Sequence, residues 1–180
     1  MGEREGRAMF NSSVVVFEDE LKRINEALED LLTQSMAKCA LLIDSIGHLI
    51  TSQGDVSRID TTALASLAAG NFAATKALAS LLGESGFSLL FHQGEKENIH
   101  LSNISNRTIL VVVFDSSVPI GRIRLFVKRA IDKLTQLFES PSYRARREEK
   151  LKKIQEVSGS IFGEEFHALA DSALDELFKD

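Results

Sequence analysis

The chain has 180 residues, of which 44% are hydrophobic and 26% charged, and its net charge is −5. This is a globular composition for one domain with an appendage, and the negative charge disfavours general nucleic-acid binding, which needs a clustered positive surface. No apolar run approaches the roughly 20 residues of a membrane span and no secretion leader stands out, so we expect a cytoplasmic protein.

The first predicted element is an amphipathic helix. Residues 1–13 show no hydrophobic period, and we expect a disordered N-terminus whose true start is either Met1 or Met9. Over residues 17–36, apolar side chains recur at steps of three and four, which predicts a helix with one apolar face.

A β-hairpin is expected to follow the first helix. The apolar stretches 38–44 and 48–52 predict two strands, and the break Ser45-Ile46-Gly47 contains the glycine that a tight turn favours. The single cysteine, Cys39, lies in the first of these strands. It has no internal disulfide partner, and we expect a buried, unreactive thiol rather than a reactive one.

The stretch 60–83 predicts a central helix of unusual composition. Asp60 or Thr61 is a suitable N-cap and Gly83 a suitable C-terminal stop. Lys76 is the only charged residue between Thr61 and Leu82, so the helix lacks an ordinary solvent face. A leucine face is expected to pack on the sheet: Leu64, Leu67, Ala74, Leu78 and Leu81, with Asn71 in the same row. A face of small residues is expected to meet another protein: Ala65, Ser66, Ala69, Ala73, Ala77 and Ser80. The alternative is a helix buried on both sides within one domain.

Three strands and a helix complete the predicted domain. We expect strands near 88–92, 98–103 and 108–115, with a turn at Ser105-Asn106-Arg107. Residues 110–114 are apolar at consecutive positions, which predicts a central strand covered on both faces. A helix over 119–139 would carry this core stripe: Ile123, Phe126, Val127, Ala130, Leu134, Leu137 and Phe138. The order αββαβββα predicts an α/β (α+β) domain over 14–140, a five-stranded antiparallel sheet with helices on both faces.

A C-terminal helical extension is expected after residue 140. Residues 141–163 predict a basic linker or helix, since 144–153 holds six basic residues against two acidic ones. This stretch is either a solvated connector or a site for an anionic partner. Residues 164–180 predict an acidic amphipathic helix that packs on its own domain or in a groove of a partner. Its candidate partner contacts are Phe166, Leu174, Leu177 and Phe178.

The sequence offers no arrangement typical of catalysis. A GxxxxGK phosphate loop, a GxGxxG loop and a GxSxG elbow are all absent, and the four histidines are scattered. We therefore expect no catalytic residue, no cofactor and no metal site. His92 is either a functional base or, as is commoner at a strand end, a residue that satisfies a local carbonyl or borders an interface.

Several separated blocks of the chain resemble the Roadblock family, and within it the MglB-type regulators of bacterial polarity. The blocks are Ile59-Asp60-Thr61-Thr62-Ala63-Leu64-Ala65-Ser66-Leu67-Ala68-Ala69-Gly70-Asn71-Phe72-Ala73-Ala74, Leu82-Gly83-Glu84, Phe91-His92-Gln93-Gly94, Val112-Val113-Phe114-Asp115 and Gly121-Arg122-Ile123-Arg124-Leu125. The similarity runs from about residue 17 to residue 139, with the same order of elements.

This resemblance implies a Roadblock-type sandwich that forms a homodimer and binds a small Ras-like GTPase of the MglA type, two subunits to one GTPase. The family accelerates GTP hydrolysis without an arginine finger, by rearranging the loops of the GTPase. The implied GTPase contacts are Ala69, Ala73, Lys76 and Ala77, and the implied dimer contacts are Ser66, Phe87, Leu89, Phe91 and His92. The resemblance also allows concentration at a cell pole.

Two other functions stay open from the sequence. A Roadblock scaffold would bind a GTPase or assemble a complex without changing hydrolysis, and its binding would ignore whether GTP or GDP is present. A small-molecule sensor would need a closed apolar cavity, which a leucine-filled core does not favour.

Overall fold

The computed structural model describes residues 14–105 and 107–162, without the side chains of residue 105 and residues 154–162. The chain divides into two compact units between residues 138 and 139. In the first unit the helices are α1 (Glu18–Ser35), α2 (Thr61–Leu81) and α3 (Ile120–Glu139, whose last residue lies past the division). Its strands are β1 (Cys39–Asp44), β2 (Leu49–Gly54), β3 (Leu89–Gln93), β4 (Glu97–Ser105) and β5 (Thr108–Asp115).

The strands form one antiparallel sheet in the order β2-β1-β5-β4-β3. Strand β5 is central, and its residues from Thr108 to Phe114 are all buried, as the apolar run 110–114 predicts. β2 and β3 are the two edges. The predicted fold class, a five-stranded antiparallel sheet with helices on both faces, is confirmed.

Each face of the sheet has its own buried cluster, because side chains alternate along the strands. Leu42 and Val112 point to the face covered by α1 and α3, where Ile24 and Val127 belong to the same cluster. The predicted core stripe of α3 is confirmed, with Phe126 and Phe138 partly buried beside that cluster. Neighbouring strand residues, including Leu41 and Val111, point to the opposite face, which α2 covers.

The turns follow the predicted glycine and cap positions. Gly47, in the β1–β2 turn, has a φ of 95°, and Gly83, just after α2, has a φ of 75°. Asp60 caps α2, because its carboxylate accepts a hydrogen bond of 3.0 Å from the backbone N–H of Ala63. Cys39 is fully buried, as predicted, and burial raises the pKa of its thiol to about 11, so the thiol stays protonated at physiological pH.

The second unit contains helix α4 (Pro141–Phe162), which includes the whole basic stretch 144–153. Within this helix Lys153 Nζ lies 2.8 Å from Glu149 Oε1, a pair one turn apart. None of the helices in residues 14–105 and 107–162 is long and apolar enough to cross a membrane.

Candidate functional site

The N-terminal half of α2 rests on the sheet through alanines. Ala65, Ala68 and Ala69 are buried and belong to the same cluster as Leu41 and Val111. The β1–β2 turn also approaches this half closely, since a Cβ on Gly47 would lie 2.9 Å from the Cα of Ser66. Small side chains on α2 thus let the helix backbone lie close to the sheet.

The predicted orientation of α2 is wrong for most of its leucine face, although Leu64 is partly buried against the sheet as predicted. Leu67, Leu78 and Leu81 are 73%, 57% and 83% exposed, whereas the sequence places them against the sheet. Leu82, which follows the helix, is 72% exposed. The reason is physical: a helix that is apolar on all sides has no polar face to indicate the outside, and close packing of small residues decides the inner face.

The predicted GTPase contacts divide between the two faces of α2. Ala73, Lys76 and Ala77 are exposed, and Ala73 and Ala77 are stacked one turn apart. Ala69 is only 4% exposed and packs toward the sheet, so it offers no surface to a partner. The outward surface next to Ala73 and Ala77 consists instead of the exposed leucines, which the sequence analysis assigned to the core. No local signal in the sequence separates these leucines from core residues, because α2 is apolar on nearly every side and Lys76 is its one charged residue.

Strand β3 supplies the second part of this surface. It pairs with β4 along one side only, from Leu89 opposite Ser102 to Gln93 opposite Asn98. Its other side is a free sheet edge, which presents backbone groups for pairing with another strand. Of the predicted dimer contacts, Leu89 and Phe91 are half-buried, while Ser66, Phe87 and His92 are exposed.

A hydrogen bond joins α2 to β3. Asn71 Nδ2 lies 2.8 Å from His92 Nε2, so the amide donates to the unprotonated ring nitrogen. His92 is exposed and Asn71 half-buried. Asn71 was expected in the leucine row of α2, and His92 was expected to be a functional base, to satisfy a local carbonyl or to border an interface. The structure brings these two residues together.

The α2–β3 surface combines exposed apolar side chains of α2 with an unpaired side of β3. Lys76 is the only charged residue of α2, and the described residues contain no group of three His, Cys, Asp or Glu able to hold a metal ion. Arg122 and Arg124 lie on α3, on the other face of the sheet, and Arg122 Nε donates to the carbonyl of Gln34 at 2.9 Å. An apolar helix face beside an open strand edge is typical of a protein–protein interface.

The C-terminal candidates Phe166, Leu174, Leu177 and Phe178 lie outside the described residues. Two open grooves of about 230 and 240 Å³ lie between α1 and α3 and share Ala27, Asp30 and Lys133.

Comparison with known proteins gives a consistent assignment. Residues 23–114 match the family model of the Roadblock/LC7 domain. MglB of Myxococcus xanthus superposes with a TM-score of 0.67 at 43% sequence identity, covering 70% of this chain and 95% of that protein. The gliding protein MglB of Thermus thermophilus gives a TM-score of 0.66 at 36% identity, covering 70% and 96%. An uncharacterised protein of Methanocaldococcus jannaschii is 29% identical over 115 residues, which are 64% of this chain and 96% of that protein.

Proposed function

Since this chain belongs to the Roadblock/LC7 family and is MglB-like, we propose that it is a homodimeric activator of a small Ras-like GTPase of the MglA type. The process would be bacterial cell polarity or motility, and the protein itself would not be an enzyme. The observation that carries the proposal is the exposed apolar face of α2 beside the free edge of β3. Such a surface needs a partner, because an unpaired strand edge and exposed leucines are costly to leave in water.

Dimerisation would use the free edge of β3. Two copies would pair their β3 strands and extend the sheet across the interface, with the two α2 helices side by side above it. Ser66, Phe87, Leu89, Phe91 and His92 are the proposed contacts. The exposed leucines of α2, Leu67, Leu78 and Leu81, would lie at or next to this contact and lose their exposure to water.

The GTPase would bind across the paired α2 helices, one GTPase to two subunits. Ala73 and Ala77 allow close approach of its loops, and Lys76 supplies the one charge nearby. Where an arginine finger is used, it contributes several orders of magnitude to the hydrolysis rate. Because α2 has no arginine and α3 lies across the sheet, we propose that this protein instead rearranges the catalytic loops of the GTPase.

The test is phosphate release from the cognate GTPase loaded with GTP. The wild-type chain should accelerate release, and Ala73→Arg or Ala77→Arg should abolish binding and acceleration, since a long charged side chain would enter the close contact. Both variants should keep the fold, because both positions are exposed. Ala145→Arg, at an exposed position of α4, is the matched control and should behave as wild type.

The outcomes separate the proposal from the scaffold alternative. GTP-dependent binding with acceleration supports an activator. Binding that ignores the nucleotide and leaves hydrolysis unchanged would establish a scaffold in its place. If neither binding nor acceleration occurs, or if Ala73→Arg behaves as wild type, the α2 surface is not the GTPase site.

A further inference from the structure

The hydrogen bond between Asn71 and His92 is the only side-chain hydrogen bond between α2 and β3 among the described residues. It joins the two elements from which the proposed dimer interface is built. How that interface keeps its geometry can be inferred from this bond, on the premise of the proposed dimer.

The packing of α2 on the sheet leaves its position weakly specified. The buried contacts of its first half come from Ala65, Ala68 and Ala69, whose single methyl groups do not interlock with the sheet as larger side chains would. Phe72 and Leu90 add partly buried apolar contact, which is not directional. A hydrogen bond has a preferred distance and angle, so the Asn71–His92 pair can fix the helix against the strand where the alanines do not.

The pair also sits where α2 loses most of its support. Beyond Asn71 the helix is largely exposed, with Thr75 and Ala79 as its only buried residues. Strand β3, as an edge strand, is held by β4 alone. A restraint between Asn71 and His92 therefore acts where the two elements would otherwise move most easily against each other.

The solvent exposure of the pair predicts where its contribution will be measured. In the single chain, water can replace either partner, so loss of the bond costs little folding stability. In the proposed dimer the pair would be shielded from water, where a hydrogen bond is stronger and an unmatched partner costs more. Its loss should thus weaken dimerisation more than it weakens the fold.

We propose that Asn71 is a positioning residue that acts through His92, holding edge strand β3 at the angle to α2 that a second copy of this chain recognises. The amide does not need to touch the second copy. It holds β3 and α2 in a fixed position relative to each other. Binding of the second copy therefore does not have to restrict their relative motion.

The experiment is a double-mutant cycle on the full chain. Asn71→Ala and His92→Ala are made singly and together, and the dimer dissociation constant is measured by sedimentation over a dilution series. Asn71→Ala should weaken the dimer by about fivefold, as expected for one hydrogen bond. In a chain that already carries His92→Ala, the Asn71→Ala substitution should cause no further loss of dimer affinity, since the hydrogen bond is already absent. Urea unfolding, measured below the dissociation constant, should change little.

Two variants control for a merely structural role. Asn71→Asp keeps the size of the side chain and can accept a hydrogen bond from the His92 ring N–H, so it should restore the affinity to within about twofold of wild type. Lys128→Ala changes an exposed side chain of α3, on the other face of the sheet from α2, and should leave the affinity unchanged.

The outcomes distinguish this inference from the proposal on which it rests. A chain that stays monomeric at all concentrations overturns the proposed dimer and this inference with it. A dimer whose affinity is unaffected by Asn71→Ala overturns this inference alone. This inference is also overturned if the losses of dimer affinity from Asn71→Ala and His92→Ala add in full in the double variant, because the two residues would then act separately.

Discussion

His100 is a buried polar residue that the proposed function does not use. It lies on β4 with no exposed surface, Ser102 Oγ is 3.3 Å from its Nδ1, and its Nε2 has no hydrogen-bond partner among the described residues. Burial and, to a smaller extent, the positive charge of Arg124 together lower the pKa of His100 to about 4. The imidazole is therefore neutral at physiological pH. Because it resists protonation in the folded chain, the folded chain loses stability when the solution becomes acidic.

The pH dependence of stability follows from this residue. Above pH 6.5 the imidazole is neutral in both the folded and the unfolded chain. As the pH falls from about 6.5 to about 4, only the unfolded chain takes up the proton, so the free energy of unfolding decreases. A pKa lowered by this amount corresponds to a loss of at most about 3 kcal/mol in the free energy of unfolding. Below about pH 4 the folded chain is protonated too, and this loss stops.

The check compares wild type with His100→Leu in urea unfolding at pH 7, 5.5 and 4.5. Leucine cannot titrate, so the decrease in unfolding free energy between pH 7 and 4.5 should be smaller in the variant than in wild type. Carboxylates such as Asp115, whose pKa is lowered by hydrogen bonds from Ser117, titrate in both proteins and cancel in the comparison. Equal slopes for the two proteins would contradict the assignment.

At the scale of elements, the β1–β2 turn packs closely against α2 of the candidate surface. Gly47 combines a left-handed φ of 95° with a distance of 2.9 Å from its ideal Cβ position to the Cα of Ser66. A side chain there would be strained by its own backbone and would also push against α2.

Gly47→Ala should therefore lower the free energy of unfolding by more than about 1 kcal/mol. Gly121→Ala, in α3, is the matched control, since nothing lies within 4 Å of its Cβ position and its φ is not left-handed. The control should be neutral or slightly stabilising. Thermal and urea unfolding of the two variants measure the difference in their stability. A Gly47→Ala protein as stable as the control would contradict the prediction, because the turn could then move away from α2 without loss of stability.

The elements themselves were predictable because their patterns are strong. The consecutive apolar residues of β5, the cap at Asp60 and the glycine at position 47 each match a local physical requirement, and each is found where it was predicted. The orientation of α2 was not predictable in the same way. Its outward leucines and inward alanines are all apolar, so the choice of face depended on how closely the helix approaches the sheet, which no local pattern records.

The site was only partly predictable for a related reason. The central helix and a strand near residues 88–92 were both expected, and Ala73, Lys76 and Ala77 lie exposed on α2. The pairing of Asn71 with His92 joins residues 21 positions apart and depends on the distance between α2 and β3. Such a contact is a property of the assembled fold, which a single sequence does not specify residue by residue.

At the scale of the whole molecule, the two faces of the sheet have different roles. The face under α1 and α3 holds the larger of the two described clusters and contributes most of the buried core. The face under α2 has a smaller cluster and turns leucines outward. A substitution among those leucines should thus affect assembly rather than folding.

The double variant Leu78→Ser, Leu81→Ser should remain folded and lose at least about tenfold in dimer affinity, because clustered apolar residues dominate most interfaces. Its monomer should lose no more than about 0.5 kcal/mol for each position, as is usual for exposed residues. Leu125→Ser is the matched control, at 50% exposure on α3 across the sheet. Circular dichroism follows the fold and sedimentation the assembly. A variant with unchanged dimer affinity would place the interface elsewhere.

The free edge of β3 beside those leucines has a further consequence for newly made chains. Until another surface covers them, unpaired backbone groups and exposed leucines together form a template for non-specific association. With the proposed dimer, a single unassembled copy would be the aggregation-prone form of this protein and the one that chaperones and proteases would recognise. Its abundance in the cell should depend on how quickly each copy finds a partner as well as on how stably each copy folds.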